Sequence, residues 1–128
     1  MKRSHSSTQG PSQRQLRAGE MIRHIVSETM QRGHFHDPAL LNSAQITVSE
    51  VRCTPDLKTA IAYVMSLGGK DMDIILPALN NHAHVFQKDI GRNSNLKFTP
   101  RVKFEKDHSF ENAQNIESLL SSLNIPED

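Results

Sequence analysis

The chain has 128 residues, of which 36% are hydrophobic, 23% charged and 5% aromatic. A chain of this length and composition is expected to fold as one small globular domain rather than remain disordered. Its one cysteine, Cys53, excludes an internal disulfide and any zinc or iron–sulfur site built from several cysteines. No apolar run approaches the ~18 residues that cross a bilayer, so we expect a cytoplasmic protein with no membrane partner.

Charge is distributed unevenly along the chain. Residues 1–103 hold 14 Lys and Arg against 8 Asp and Glu, whereas residues 104–128 hold one Lys against 6 Asp and Glu. The net charge of +1 therefore combines a basic body with an acidic end. This asymmetry favours a polyanionic partner such as nucleic acid; an ordinary scatter of surface charge is the alternative.

The N-terminal part predicts a flexible arm followed by a long helix. Residues 1–13 are rich in Ser, Gln, Gly and Pro, so we expect a disordered basic arm. Apolar residues then recur at the spacing of one helical face, which predicts a helix from about Gln13 to Arg32. Gly33 is placed to end this helix.

A β-hairpin is predicted next. Residues 44–53 are rich in β-branched side chains, residues 58–67 alternate along their length, and Thr54-Pro55-Asp56 between them is a turn signature. In the second strand Val64 lies mid-strand, and we expect it to be deeply buried.

A second helical region covers about residues 72–90, where apolar residues recur at spacings of three and four. Asn80-Asn81-His82 are poor helix formers, so we expect a break near residues 80–84. Pro77 is poorly accommodated unless it falls in the first turn of a helix.

A third strand and a last helix complete the predicted order. Residues 96–104 alternate between apolar and polar positions, and Pro100 predicts an edge strand or a bulge. The inward face of this strand is expected to hold Leu96, Phe98, Val102 and Phe104. We therefore expect the phenylalanines in the core rather than as base-stacking platforms. Apolar spacing over residues 110–123 predicts a short C-terminal helix.

These elements give an α+β fold in the order α-β-β-α-α-β, with the short C-terminal helix appended. Helices covering one face of a three-stranded sheet make a two-layer sandwich. The same order occurs in the type II KH fold, an RNA-binding fold. The chain then divides into a disordered basic arm at 1–13, a KH-like RNA-binding domain at 14–123 and an acidic tail at 124–128.

Two ordered sets of residues carry a resemblance to a known family. The first is Asp37-Pro38, Leu40, Ile46-Thr47-Val48, Val51, Thr54-Pro55-Asp56-Leu57, Ala60 and Tyr63-Val64. The second is Arg92, Leu96, Thr99-Pro100, Val102, Phe104, Asp107 and Ser109. From about residue 14 to residue 120 the chain resembles the ribosome-binding factor A family. It departs from the family at His82-Ala83-His84, where an Ala-x-Gly kink is typical, and at Arg101, where the family often has an acidic residue.

The resemblance implies a ribosome assembly factor, bacterial or organellar. Such a factor binds small-subunit ribosomal RNA as a monomer and assists late maturation of the small (30S) subunit, including processing of its rRNA. It is not an enzyme and needs no cofactor or metal, and ribosomal proteins and a release GTPase would be further partners. The alternative is a protein–protein adaptor, on the ribosome or another complex, that does not bind RNA directly.

The resemblance to KH domains also suggests where RNA would bind. A KH-like domain holds nucleic acid in a groove between a helix start and the edge of the sheet. The matching region here joins Lys88 and Arg92, late in the second helical region, to Lys97 and Arg101 on the third strand. Arg14 and Arg17 form a second basic cluster, whose position relative to the groove the sequence leaves open.

Other chemistries have less support. His34 and His36 beside Asp37 resemble a metal cluster, but zinc sites normally take three or four ligands with a defined second shell. The segment also follows a predicted helix C-terminus, where His is electrostatically favoured. His82 and His84, two apart on a helix, would point ~200° away from each other and could not share a metal. Each is better explained as a surface residue or an RNA contact. Cys53 is better explained as a structural residue than as a thiolate nucleophile. No nucleotide-binding glycine loop or hydrolase motif argues for an enzyme.

Substitution of Val64 by Asp tests the strand assignment. We expect Val64→Asp to lower the free energy of unfolding by several kcal/mol, on the order of the whole stability of a small domain, because it buries an unpaired charge. Chemical denaturation measures the change. A soluble Val64→Asp protein that unfolds cooperatively at the wild-type midpoint would refute the assignment.

Overall fold

The computed structural model describes residues 10–109 of the chain. Residues 1–9 of the predicted arm, the C-terminal helix at 110–123 and the acidic tail at 124–128 lie outside the described residues. The elements are α1 (Gln13–Arg32), β1 (Thr47–Cys53), β2 (Thr59–Met65), α2 (Met72–Asn81), α3 (Ala83–Asn93) and β3 (Arg101–Lys106). They confirm the predicted order α-β-β-α-α-β. No helix within residues 10–109 is both long and apolar enough to cross a membrane.

The sheet is mixed, with β2 between β1 and β3. β1 pairs with β2 antiparallel, with Val51 opposite Ala62, which confirms the hairpin. β3 pairs with β2 parallel, with Arg101 opposite Thr59. α1 packs on β1, while α2 and α3 pack on β3. The result is the predicted α+β sandwich of type II KH-like order, with one helical layer and one sheet layer.

The core lies between the sheet and the helices. Val64 of β2 is 0% exposed, as predicted. Phe104 of β3 meets Phe86 of α3 edge-on, with 4.8 Å between ring centroids. Cys53 is also buried, and burial raises the pKa of its thiol. A thiol held in its protonated form fits the structural role predicted for this cysteine.

The first turn of α1 is fixed to the end of β1. The Ser12 hydroxyl accepts a hydrogen bond from the Gln15 backbone N–H at 3.2 Å, and the Gln15 side chain accepts one from the Ser12 N–H at 2.9 Å. This capping box satisfies two backbone donors at the helix start. The Gln15 amide also donates to the Cys53 carbonyl at 2.9 Å. At the far end of α1, Gly33 forms the predicted cap with φ 73°.

The third strand begins later than predicted, at Arg101 rather than at residue 96. Leu96 is half-buried and Pro100 is buried, but Phe98 between them is 67% exposed. The prediction that Phe98 joins the core is therefore wrong. Pro100 cannot donate to a strand ladder and restricts the residue before it. The alternation of a strand consequently starts only after the proline.

The start of β1 and the position of Pro77 differ from the prediction, and the helical break is confirmed. β1 begins at Thr47 because Ser43–Gln45 forms a 3₁₀ turn, in which the Ser43 hydroxyl donates to the Met30 carbonyl at 2.8 Å. Pro77 lies inside α2 rather than in its first turn. The helical break predicted near residues 80–84 falls at His82, whose φ of −108° and ψ of 18° are not helical.

Gly19 sets the distance between α1 and β1. A Cβ atom at this position would overlap the carbonyl oxygen of Val51 in β1. Any side chain at residue 19 must therefore push the helix away from the sheet.

Substitution of Gly19 by Ala is expected to destabilise the fold, although Ala is the better helix former. Overpacking against a rigid backbone costs about 1–3 kcal/mol, and urea unfolding measures the loss. His24→Ala, at an exposed position of the same helix, is the control and should shift stability by no more than about 0.5 kcal/mol. A Gly19→Ala protein more stable than the wild type would contradict the close approach.

Candidate nucleic-acid interface

The basic side chains of the described residues differ in whether they have an acidic partner. Arg23, Arg32, Arg52 and Lys103 form ion pairs. The six cations predicted to bind RNA are all exposed, and within residues 10–109 none of them pairs with a carboxylate: Arg14, Arg17, Lys88, Arg92, Lys97 and Arg101. Within the described part of the chain, their charge is therefore not neutralised by a neighbouring acid.

Three of these six cations meet at one cleft. Arg14 and Arg17 from the first turns of α1 line it together with Lys97 from the segment before β3. The other described lining residues are Gln13, Ala18, Met21, Leu57, Asn95 and Leu96, none of them acidic. We call this site the basic cleft. It settles the position of Arg14 and Arg17, which the sequence left open.

The packing of α3 against α1 explains why these segments meet. Near the C-terminal end of α1, Asp89 of α3 accepts hydrogen bonds from the Thr29 hydroxyl at 2.7 Å and from Arg32 at 2.6 Å. At the other end, the residues just after α3 lie against the first turns of α1, where Lys97 lines the basic cleft. The two helices therefore run antiparallel, and α3 delivers the following segment to the start of α1.

Arg101 lies at the same end of the sheet but on its other face. It opens β3, and its backbone N–H donates to the Lys58 carbonyl at 2.8 Å. The buried residues of β3 alternate with Arg101, so this side chain is on the face turned away from the helices. Lys58 is also exposed, and the nearby Asp56 carboxylate interacts with its charge electrostatically. The sequence analysis did not select Lys58 as a candidate RNA-binding residue. Its position beside the predicted hairpin turn could have indicated that it lies at the same end of the sheet as Arg101.

Lys88 and Arg92 do not line the basic cleft. They lie one turn apart on the exposed side of α3. Gly91, beside Arg92, faces the segment before β3, where an added Cβ would lie 3.0 Å from the Thr99 hydroxyl oxygen. Lys88 and Arg92 thus extend the positive charge along α3, away from the cleft.

Side-chain amides from the two short helices close the outer edge of β3. The N–H of Phe104 donates to Asn80 at 2.9 Å, and the Asn80 amide donates back to the Phe104 carbonyl at 3.1 Å. The N–H of Val102 donates to the Gln87 side chain at 2.9 Å. Three backbone groups that an edge strand usually leaves open, the N–H of Val102 and the N–H and carbonyl of Phe104, are therefore occupied here. These three groups are therefore not available to a partner that approaches this edge.

Hydrogen bonds to the Asp56 side chain hold the hairpin turn beside the cleft. The Asp56 carboxylate accepts hydrogen bonds from the Thr54 hydroxyl at 2.7 Å and from the Lys58 N–H at 3.0 Å. The Thr54 bond is the main cause that lowers the pKa of Asp56 below its ordinary value. Leu57, held by this turn at a φ of 58°, is buried and forms part of the cleft wall.

The histidines do not assemble a metal site in the part of the chain that the structure describes, where no three His, Cys, Asp or Glu side chains could hold an ion. The rings of His82 and His84 are stacked with centroids 6.1 Å apart, so the prediction that they diverge is wrong. The reason is that His82 lies at the helix break rather than inside a helix. Its Nδ1 lies 2.9 Å from the Ala78 carbonyl oxygen, and its ring packs edge-on against Phe35.

Comparison with known proteins gives one consistent family. The ribosome-binding factor A family profile matches residues 14–120. A ribosome-binding factor A from Methylorubrum extorquens (strain PA1) is 45% identical over 119 residues, covering 93% of this chain and 81% of the relative.

Solved structures show the same fold. The crystal structure of ribosome-binding factor A from Thermus thermophilus superposes with a TM-score of 0.61 at 21% identity, covering 72% of this chain and 94% of that one. A Thermus thermophilus homology model fitted into a cryo-EM map of a 30S complex gives a TM-score of 0.55 at 21% identity, covering 70% of this chain and 91% of that one. At these identities the likeness shows the fold alone.

Substitution of Asn80 by Asp tests the closed edge of β3. The carboxylate keeps an acceptor for the Phe104 N–H but cannot donate to its carbonyl, so we expect a loss of about 1–2 kcal/mol in the free energy of unfolding. Asn81→Asp, at the exposed neighbouring position, is the matched control and should cost less than about 0.5 kcal/mol. Equal stability of the two variants would contradict a structural role for the Asn80 amide.

Proposed function

The chain belongs to the ribosome-binding factor A family, and from this premise we propose that it binds small-subunit ribosomal RNA and assists late maturation of the 30S subunit, including processing of its rRNA. The protein acts by binding as a monomer in the cytoplasm, without catalysing a reaction and without a cofactor. Ribosomal proteins and a release GTPase are further proposed partners.

The basic cleft is the observation that carries the RNA-binding part of the proposal. Arg14 and Arg17 come from one end of the described chain and Lys97 from the other, and the fold brings them to one opening. None of the three has an acidic partner among residues 10–109. Unpaired cations gathered around a concave surface with no described acidic wall residue are suited to phosphate oxygens.

The chemistry of the site favours the RNA backbone over base sequence. Arginine binds phosphate in a bidentate fashion and lysine binds it as a point charge, and neither contact reads a base. Asn80 and Gln87 already occupy the N–H of Val102 and the N–H and carbonyl of Phe104, so these groups of β3 are not free to bind base edges. We therefore propose that the protein selects its RNA by shape and phosphate position, which suits an assembly factor that binds one defined surface of a large particle.

Charge reversal in the cleft tests this proposal. Arg17→Glu should weaken binding to immature small subunits by about tenfold or more and, by removing one phosphate-binding cation, reduce the slope of log K against log salt by roughly 0.7–0.9. The substitution should leave the fold intact, because the Arg17 side chain is exposed and has no acidic partner among the described residues. Binding measured at several salt concentrations gives both quantities.

The matched control is Lys70→Glu. It makes the same change in net charge at an exposed position beyond the other end of β2, far from the cleft. Its effect on affinity should be small. Equal losses in both variants would mean that net charge alone drives binding, and wild-type affinity of Arg17→Glu would contradict the cleft as the RNA-binding site.

A second pair of substitutions asks how far the RNA contact extends. Arg92→Glu with Arg101→Glu reverses two exposed cations outside the cleft, one on α3 and one on the other face of the sheet in β3. A further drop in affinity and in salt slope would extend the proposed contact to both elements. Unchanged binding would confine it to the cleft.

A further inference from the structure

Phe98 is an exposed aromatic side chain beside the basic cleft. It is 67% exposed, although the alternation of residues 96–104 predicts an inward position. Leu96 before it is half-buried and packs against the core, and Pro100 after it is buried. The chain is thus anchored on both sides, and the ring between the anchors projects outward.

Lys97 links this ring to the cleft. Its ammonium nitrogen lies 5.6 Å from the centroid of the Phe98 ring, within the range of a cation–π contact. Lys97 also lines the basic cleft together with Arg14 and Arg17. An anion bound in the cleft would therefore lie next to the aromatic ring.

We infer that Phe98 is a stacking platform for one unpaired RNA base, whose neighbouring phosphates are bound in the basic cleft by Lys97, Arg14 and Arg17. This inference rests on the proposed function and makes it more specific, because it identifies single-stranded RNA as the element recognised at this end of the molecule.

The pairing of ring and cations defines the ligand chemically. Single-stranded nucleic acid is bound by aromatic faces on which bases stack, next to cations that follow the backbone. The bases of a continuous duplex already stack on one another and do not present a free face to Phe98. The charge of the cleft selects a polyanion, so an unpaired nucleotide fits the site better than an apolar peptide does.

The test is to separate stacking from charge by comparing two substitutions of Phe98. Phe98→Leu keeps an apolar side chain but removes the aromatic face, and Phe98→Tyr keeps the face. Each protein is titrated with a mixed-sequence single-stranded RNA of about ten nucleotides, a site size typical of single-strand binding, and with a duplex of the same length. Both substitutions fall at an exposed position, so equal melting temperatures should verify that the fold is unchanged.

Stacking on Phe98 should give a specific pattern of affinities. Phe98→Leu should bind the single strand roughly five- to a hundredfold more weakly than the wild type, with the salt slope unchanged because every phosphate-binding cation is still present. Phe98→Tyr should stay within about twofold of the wild type. Duplex binding should be the same in all three proteins.

Several results would overturn the inference. Wild-type affinity of Phe98→Leu for the single strand would exclude stacking, and so would an equal loss for single strand and duplex. Loss of binding to small subunits without loss of binding to RNA would assign Phe98 to a protein contact instead. Absence of measurable single-strand binding by the wild type at low salt would also overturn it, whereas the proposed function would fail only if the wild type did not bind small subunits.

Discussion

The parallel pairing of β3 with β2 determines most of this structure. Parallel strands start at the same end of a sheet, so the chain that leaves β2 must cross back before β3 can begin. Here α2 and α3 make that crossing. It ends where the hairpin turn and the start of α1 already lie, with Arg101 opposite Thr59. The basic cleft forms at this end because the crossing brings the segment before β3 to the hairpin turn and to the start of α1.

The same helical crossing restricts what the site can do. It supplies Asn80 and Gln87 to the outer backbone groups of β3, and the edge strand is thereby protected from pairing with another strand. This end of the described chain offers a partner a set of exposed cations and the exposed ring of Phe98, among other exposed side chains. These groups are suited to binding polyanions by charge and stacking, and the proposed function requires no more than that.

Much of the fold could be predicted from the sequence because local signals agreed with tertiary packing. The helix from Gln13 to Arg32, the hairpin, the burial of Val64 and the break at His82 all follow from periodicity and from residue types that start or stop elements. In each case the local preference and the buried face support the same assignment.

The remaining features depend on contacts between residues distant in sequence. No local pattern could show that Arg14 and Arg17 share a cleft with Lys97, because the antiparallel packing of α3 on α1 brings them together. The alternation that includes Phe98 is misleading because it continues across Pro100, and that proline delays the strand.

A cryo-EM map of this protein on an immature small subunit would show directly which surface binds RNA. We expect the first turns of α1 and residues 95–98 to face ribosomal RNA, with Arg14, Arg17 and Lys97 within hydrogen-bonding distance of phosphate oxygens. A map in which this end of the molecule faces solvent, while another surface of the protein contacts a ribosomal protein, would contradict the basic cleft as the RNA-binding site.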